Sequence, residues 1–320
     1  MTTDKAKYRE WCAKEQGIPV FSQNWWLDAV CGDANWDVIL IEKNGAIAAS
    51  MPFYMKKRGP FSLLTMPPLT QTLGPYITYR EGLSHMDKLS HEKKIIGEMI
   101  RRLPRFDHCL IKCSYRLTNW LPFHWAGFNQ QTAYTYVIPD LQNLERVFSN
   151  FDYSKKKDIK KAKKLVEIGF DLTPREFYEN HTLTLGKQQS AIIYSFELFK
   201  RIYEAAYARN TGRVIYAKDR YGNLHAALFA IWGPEGAYDL ISTIDPDYRI
   251  SGAASLLVQE IIRYVSTFTN RFDFEGSMIE GVEASFRKFG SVQTPYLIIT
   301  KTPSRLLRLR EAIISLLKSK

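Results

Sequence analysis

At 320 residues the chain is long for one domain, and two are expected. Hydrophobic residues make up 45% and aromatic residues 13%, enough for large cores, yet no window approaches the run of about 18 apolar residues that would span a membrane. The 44 basic residues outnumber 33 acidic ones, a net charge of +11 that suits an anionic partner: a nucleotide, tRNA, a phospholipid surface or a diphosphate-linked intermediate. Cys12, Cys31, Cys109 and Cys113 are too few and too scattered for a disulfide framework, and the polar stretch Met1 to Trp11 lacks a signal-peptide core. A cytoplasmic protein is expected.

Helices are predicted over 2–15 and 23–31, followed by a hairpin at 37–56 with Asn44-Gly45 at its turn. A Pro- and Gly-rich section runs from Gly59 to Pro75, then a helix over 86–102 and a strand over 108–114. Cys109 and Cys113 share one face of that strand and are read as buried structural thiols, because His108 adds too few ligands for a metal. His91, His181 and His225 have no metal-ligand spacing either. Trp120, Phe123, His124, Trp125 and Phe128 cluster next. Core packing is one reading; a wall for a sugar or peptide acceptor, with Trp120, His124 and Trp125 at the pocket, is the other. A strand at 132–138 closes this half, and Pro139-Asp140 opens a connector of helices to about 207.

Within the connector, Lys155, Lys156, Lys157, Lys160, Lys161, Lys163 and Lys164 put seven lysines into ten positions, with Asp158 the only acid. Like charges at i,i+4 are unfavourable, so the density exceeds what solubility needs. Lys156, Lys157, Lys160, Lys161, Lys163 and Lys164 are expected to meet a polyanion, through its backbone or a head group, since no aromatic is interleaved for base stacking; a merely solvated face is the structural alternative. Ile159, Ala162 and Leu165 form the remaining stripe.

The second half reads as an antiparallel meander of strands 214–218, 224–232 and 237–243. Its first hairpin has the form of 38–49, which suggests a duplicated domain. A helix over 252–266, a strand over 271–275, a helix over 280–289 and a strand over 294–301 follow. A strand leaving through a helix and returning as a strand pairs in parallel, so the sheet is mixed. The fold class is α/β (α+β): two units, 1–145 and 146–320, each a mixed, mostly antiparallel sheet flanked by helices. From Arg305 to Lys318, the stripe of Leu306, Leu309, Ile313, Leu316 and Leu317 with Arg305, Arg308, Arg310 and Lys318 around it predicts a basic amphipathic helix. It docks on the protein's own body or rests on an anionic membrane.

Two strand-to-helix turns carry the candidate chemistry. At Arg249, Ser251, Gly252, Ala253, Ala254 and Ser255 the small residues let backbone amides approach a phosphate at a helix start, although an ordinary N-cap has the same form. At Phe272-Asp273-Phe274-Glu275-Gly276-Ser277, Asp273 and Glu275 lie two apart on the predicted strand and share a face. Repulsion between them raises one pKa and gives a base for an amine; a salt-bridged pair involving Arg287 is the structural alternative.

These pieces, in this order, resemble the GNAT acyltransferase superfamily and its tandem-domain, Fem-type branch of peptidoglycan bridge-forming and polysaccharide-biosynthesis transferases. The residues that carry the resemblance are Thr135-Tyr136-Val137-Ile138-Pro139-Asp140, the lysine-rich helix, Gly252 to Leu257, Phe272 to Ser277 and Phe286-Arg287-Lys288-Phe289-Gly290. Leu69 to Pro75 and Trp125 to Phe128 look like first-domain signatures. The resemblance implies a transferase moving an acyl or aminoacyl group onto an amine of a cell-envelope precursor, soluble or lipid-linked, with acyl-CoA as the favoured donor and aminoacyl-tRNA as the alternative. It implies no metal. Glu275 or Asp273 would take the proton, and the turn from Arg249 to Ser255 would hold the donor. Phe286 stands where such enzymes often place a tyrosine acid, and 153–207 is short for a coiled-coil tRNA arm. A non-catalytic module binding a nucleotide- or lipid-linked precursor is the reading from another class.

Overall fold

The computed structural model describes residues 3–276 and 278–318, without the side chains of positions 315, 316 and 318. In chain order, α1 (Thr3–Cys12) and α2 (Asn24–Cys31) lead to β1 (Trp36–Lys43), β2 (Ala46–Arg58), β3 (Phe61–Thr65) and β4 (Tyr76–Ile77). Then come α3 (His85–Arg102), β5 (His108–Lys112), α4 (Leu121–Trp125) and β6 (Asn129–Ile138). The connector holds α5 (Leu144–Ser149), α6 (Tyr153–Ala162), β7 (Val166–Phe170), α7 (Pro174–Lys187) and α8 (Phe196–Tyr207). The meander is β8 (Gly212–Asp219), β9 (Leu224–Gly233) and β10 (Gly236–Ile244); α9 (Ala253–Val265), β11 (Phe272–Asp273), α10 (Glu280–Phe286), β12 (Val292–Lys301) and α11 (Arg305–Lys318) complete the chain.

Two compact units result: Met1–Ala133 with Pro295–Lys320, and Tyr134–Thr294. The division differs from a single cut after residue 145, because the chain re-enters the first unit inside β12. In that unit β1, β2 and β3 are antiparallel neighbours, β3 runs parallel to β5, and β5 pairs antiparallel with Ile298–Lys301. Asn44 and Gly45, at φ 52 and 78, make the two-residue β1–β2 turn that their left-handed tolerance favours. Ser84 caps α3 by accepting from the Asp87 N–H, and Ile95, Ile96 and Met99 bury that helix on Ile39, Ile41 and Ile111. Cys109 and Cys113 are free and buried in this core, where burial pushes both thiols up to about 12.

In the second unit the strand order is β6-β11-β10-β9-β8-β7, with β10 and β11 parallel and the other pairs antiparallel. One face carries Leu228, Ala230, Trp232 and Ala237 against Leu257, Ile261 and Ile262 of α9. The other presents Phe229 to Phe177 of α7 and Phe199 of α8. β7 lies inside the stretch expected to be helical. A Cβ on its Gly169 would sit 2.3 Å from the Tyr216 ring across the pair, so a larger residue there would make the half-buried ring turn aside. β3 likewise emerges from the Pro- and Gly-rich section.

Candidate active site

β10 and β11 pair only at Ala237–Phe272 and Tyr238–Asp273. β11 then stops while β10 runs on to Ile244, so no strand among the described residues covers the β11-side edge of β10 from Asp239 onward. β10 also bulges. Asp239 faces Ala230 and Ile241 faces Phe229, which leaves Leu240 as the extra residue. A bulge bends its strand and re-aims its side chains.

The carboxylate at this bulge is one that sequence reasoning missed. Asp239 is 7% exposed, and burial pushes its carboxyl up to about 7 despite the Ser242 hydroxyl, which favours the charged form. Ser242 Oγ donates to Asp239 Oδ1 and Oδ2 at 2.7 and 2.9 Å, and Ser242 itself is exposed. The register places Asp239 and Ser242 opposite Ala230 and Leu228, hence on the face that packs α9. The available signal was one acid in the run Gly236–Ile244, where Asp239 has buried neighbours on both sides.

Asp273 pairs with Tyr238, one residue out of phase with Phe272 and Phe274 of the α9-face core, so it faces the other way. It is buried, takes a short hydrogen bond from Thr135 Oγ1, and accepts from the Glu275 N–H at 2.8 Å. The expected alternation does not extend to Glu275. The strand ends at Asp273, and Glu275 and Gly276 both turn left-handed, at φ 57 and 62. Gly276 has no choice, since a Cβ would meet the Tyr134 carbonyl oxygen at 2.3 Å. Glu275 is half-buried. Ser277 lies outside the described residues. Arg287, the imagined salt-bridge partner, sits 3.8 Å from Glu283. Phe286 stacks on Phe274 at 4.9 Å, and the nearby Tyr136 donates its hydroxyl to Glu283 Oε1 at 2.9 Å and accepts from Gln293 Nε2 at 2.7 Å.

The phosphate-type turn is closed. Gly252, at φ 81, caps α9, and a Cβ on it would lie 2.3 Å from the Asp158 carbonyl oxygen of α6. Ser251, Ala253 and Ser255 are buried, and the Ala253 N–H is already bonded to Ser251 Oγ at 3.2 Å. Ala254 is half-buried and Arg249 is exposed. Ahead of the turn, Lys187 of α7 holds both Asp245 (2.7 Å) and Asp247 (2.6 Å), and these bonds raise its pKa.

The helix that closes the turn carries the lysines. Asp152 caps α6, and Ile159 and Ala162 face the core. Leu165, expected on that stripe, is exposed because the helix ends at Ala162. Lys156, Lys157, Lys160 and Lys161 are exposed and fall within about 140° of the helix circumference, and Lys163 and Lys164 follow, exposed, just past its end. None pairs with a carboxylate among the described residues. Lys161 Nζ reaches the Ile250 carbonyl at 2.7 Å and Lys156 Nζ the Ser149 carbonyl at 2.7 Å. Lys155 differs: it donates to Ser285 Oγ at 2.9 Å over the Phe289 ring, and burial lowers its pKa.

The aromatic cluster of the first unit divides. Phe123 and Phe128 are core. Trp120 and His124 meet edge-on with centroids 5.1 Å apart, and Trp125 is exposed beneath Lys93. Among the described residues no group of three His, Cys, Asp or Glu side chains is placed to hold a metal ion. A concavity of about 470 Å³ between α7 and α8, lined by Arg175, Tyr178, Glu179, Thr182, Leu183 and Phe196, contains none of the residues above.

No protein-family model and no curated protein sequence matches the chain. Solved structures do match in fold. FemX aligns over 96% of this chain and 98% of its own, with a TM-score of 0.69 at 10% identity. L-PGS from Bacillus licheniformis aligns over 94% and 92%, with a TM-score of 0.55 at 11% identity. A tandem GNAT protein from the clavulanic acid biosynthesis pathway aligns over 93% and 95%, with a TM-score of 0.51 at 11% identity. The chain has the GNAT-like, Fem-type fold.

Proposed function

We propose that the chain is a Fem-type aminoacyltransferase that moves an aminoacyl group from the ester of a tRNA to an amine of a cell-envelope precursor. The observation that carries the choice of donor is the pairing of a buried helix start with an exposed lysine face. The α9 amides that would cradle a coenzyme A diphosphate lie behind α6. On the outside of α6 and just past its end, six lysines without acidic partners among the described residues present a surface for a phosphate backbone. The likeness to FemX and L-PGS supports a transferase of this kind.

In this reading the amine attacks the ester carbonyl along the open edge of β10. The C–N bond forms, the ester C–O bond breaks, and the leaving ribose hydroxyl takes up a proton. Asp239, with a carboxyl near neutrality, accepts the amine's proton through the exposed Ser242 hydroxyl. Backbone N–H groups of the unpaired edge steady the oxyanion. Asp273 positions the turn through Thr135 and the Glu275 N–H, and Glu275 orients the amine.

The test is a filter-binding and transfer assay with aminoacyl-tRNA beside thermal melts with coenzyme A. Binding of tRNA with no coenzyme A shift supports the reading. A coenzyme A shift without tRNA binding returns the donor to a thioester. One observation favours a non-catalytic module: the position expected to carry a tyrosine is Phe286, packed in an aromatic stack. That reading predicts binding with no transfer.

A further inference from the structure

α11 is amphipathic twice over. Leu307 is 1% exposed, while Leu306, Leu309, Ile313 and Leu317 are 49–71% exposed. At about 100° per residue the four form one arc about 80° wide, turned roughly a quarter of the circumference or more away from Leu307. Arg305 and Arg310 border this arc on its two sides. Arg308 lies farther round, and Glu311, the only acid of the helix, points away from it. A docked helix normally turns its apolar side inward and leaves polar groups outside. Here a second apolar stripe is presented to solvent between two guanidinium groups.

We propose that this stripe of α11 lies on an anionic lipid surface, with the leucines and Ile313 among the acyl chains and Arg305 and Arg310 at the head-group phosphates. The charges fit an anionic interface, and apolar side chains edged by arginine are what such a helix needs. Just before the helix, a concavity of about 410 Å³ lined by Arg105, Lys301 and Pro303 adds two cations against the single carboxylate of Asp107. Asp107 itself already accepts the Ser62 N–H at 2.8 Å. Lying flat is the available mode, since no described helix is long and apolar enough to cross a membrane. A second copy of the chain fits less well. Fourteen residues at about 1.5 Å each give a stripe about 21 Å long and about 10 Å wide, on the order of 200 Å² against the roughly 800 Å² per partner of a stable dimer.

The test is flotation of the full chain with phosphatidylcholine vesicles, with and without about one-third phosphatidylglycerol. Binding is expected only to the anionic vesicles and is expected to weaken with salt. Leu309→Asp with Ile313→Asp is expected to weaken it at least tenfold without changing the melting temperature, because both side chains are exposed. Leu309→Trp gives a second readout, a blue shift of its fluorescence on adding anionic vesicles. The proposal falls if the wild-type chain ignores anionic vesicles, if the double variant binds as well as wild type, or if the wild type is a dimer that the double variant dissolves. The readout is lipid partition, so a failed transfer assay leaves it standing and its failure leaves the transferase reading standing.

Discussion

Replacing Gly252 with alanine tests whether α6 closes the start of α9. An L-residue at φ 81 costs about 1–2 kcal/mol by itself. The new Cβ would also lie 2.3, 2.7 and 2.9 Å from the carbonyl oxygen, carbonyl carbon and Cα of Asp158. These are backbone atoms, so no rotamer relieves the clash and α6 must retreat by about 1 Å. Such a gap forfeits about a quarter to a half of each contact across it. Buried Ile159 and Ala162 line this side of α6, and forced overpacking of this kind costs about 1–3 kcal/mol. The expected loss is therefore about 2–5 kcal/mol, read as a lower urea midpoint at unchanged slope. A loss under about 0.5 kcal/mol would refute the closed arrangement and reopen the turn to a phosphate. Binding of coenzyme A by the wild type would refute the inference drawn from it.

Lys156→Glu with Lys160→Glu and Lys163→Glu is expected to weaken tRNA binding and reduce its log–log salt slope by about 2–3, while the unfolding midpoint stays put. Asp239→Asn is expected to lower the rate of transfer by roughly 10²–10⁴. It also tests a pH dependence. A carboxyl raised from about 4 in the unfolded chain to about 7 in the fold binds more protons when folded, so its contribution to stability is full below pH 4 and declines until pH 7. Denaturation at a series of pH values should show that decline, on the order of a few kcal/mol, flatten in Asp239→Asn. Glu275→Gly relieves a left-handed φ and should leave stability within about 1 kcal/mol, while transfer falls; unchanged transfer would remove Glu275 from the site.

Much of the fold was legible because its signals are local. The meander alternates, Asn44-Gly45 marks its own turn, and α3 carries a cap and an apolar stripe. β7 was not legible, since five residues with an interior glycine become a strand only by pairing with β8, about 50 residues on in the chain. The division between the units was hidden for a similar reason: β12 returns to β5 after nearly two hundred intervening residues. In the candidate site, the two turns were visible as small or acidic residues after apolar runs. What covers one of them was not, because the contact of Asp158 with Gly252 joins helices about 90 residues apart. Asp239 passed unnoticed for want of its register, since a bulge exists only relative to a partner strand.

At about 10% identity the likeness to solved structures speaks for the fold, so the site stands on its own geometry. Three irregularities converge on β10 and β11: a bulge at Asp239–Ile241, pairing that ends after Tyr238–Asp273, and the left-handed pair Glu275-Gly276. Each is unfavourable for a sheet, and such features persist where something over-determines them. The pair is the most informative. Gly276 is explained by sterics alone, because the Tyr134 carbonyl leaves no room for a Cβ. Glu275 is not. Glycine would adopt φ 57 at lower cost, so the left-handed conformation works against a glutamate there. The strain marks Glu275 as the residue to test, through the Glu275→Gly exchange, for a role of its carboxylate.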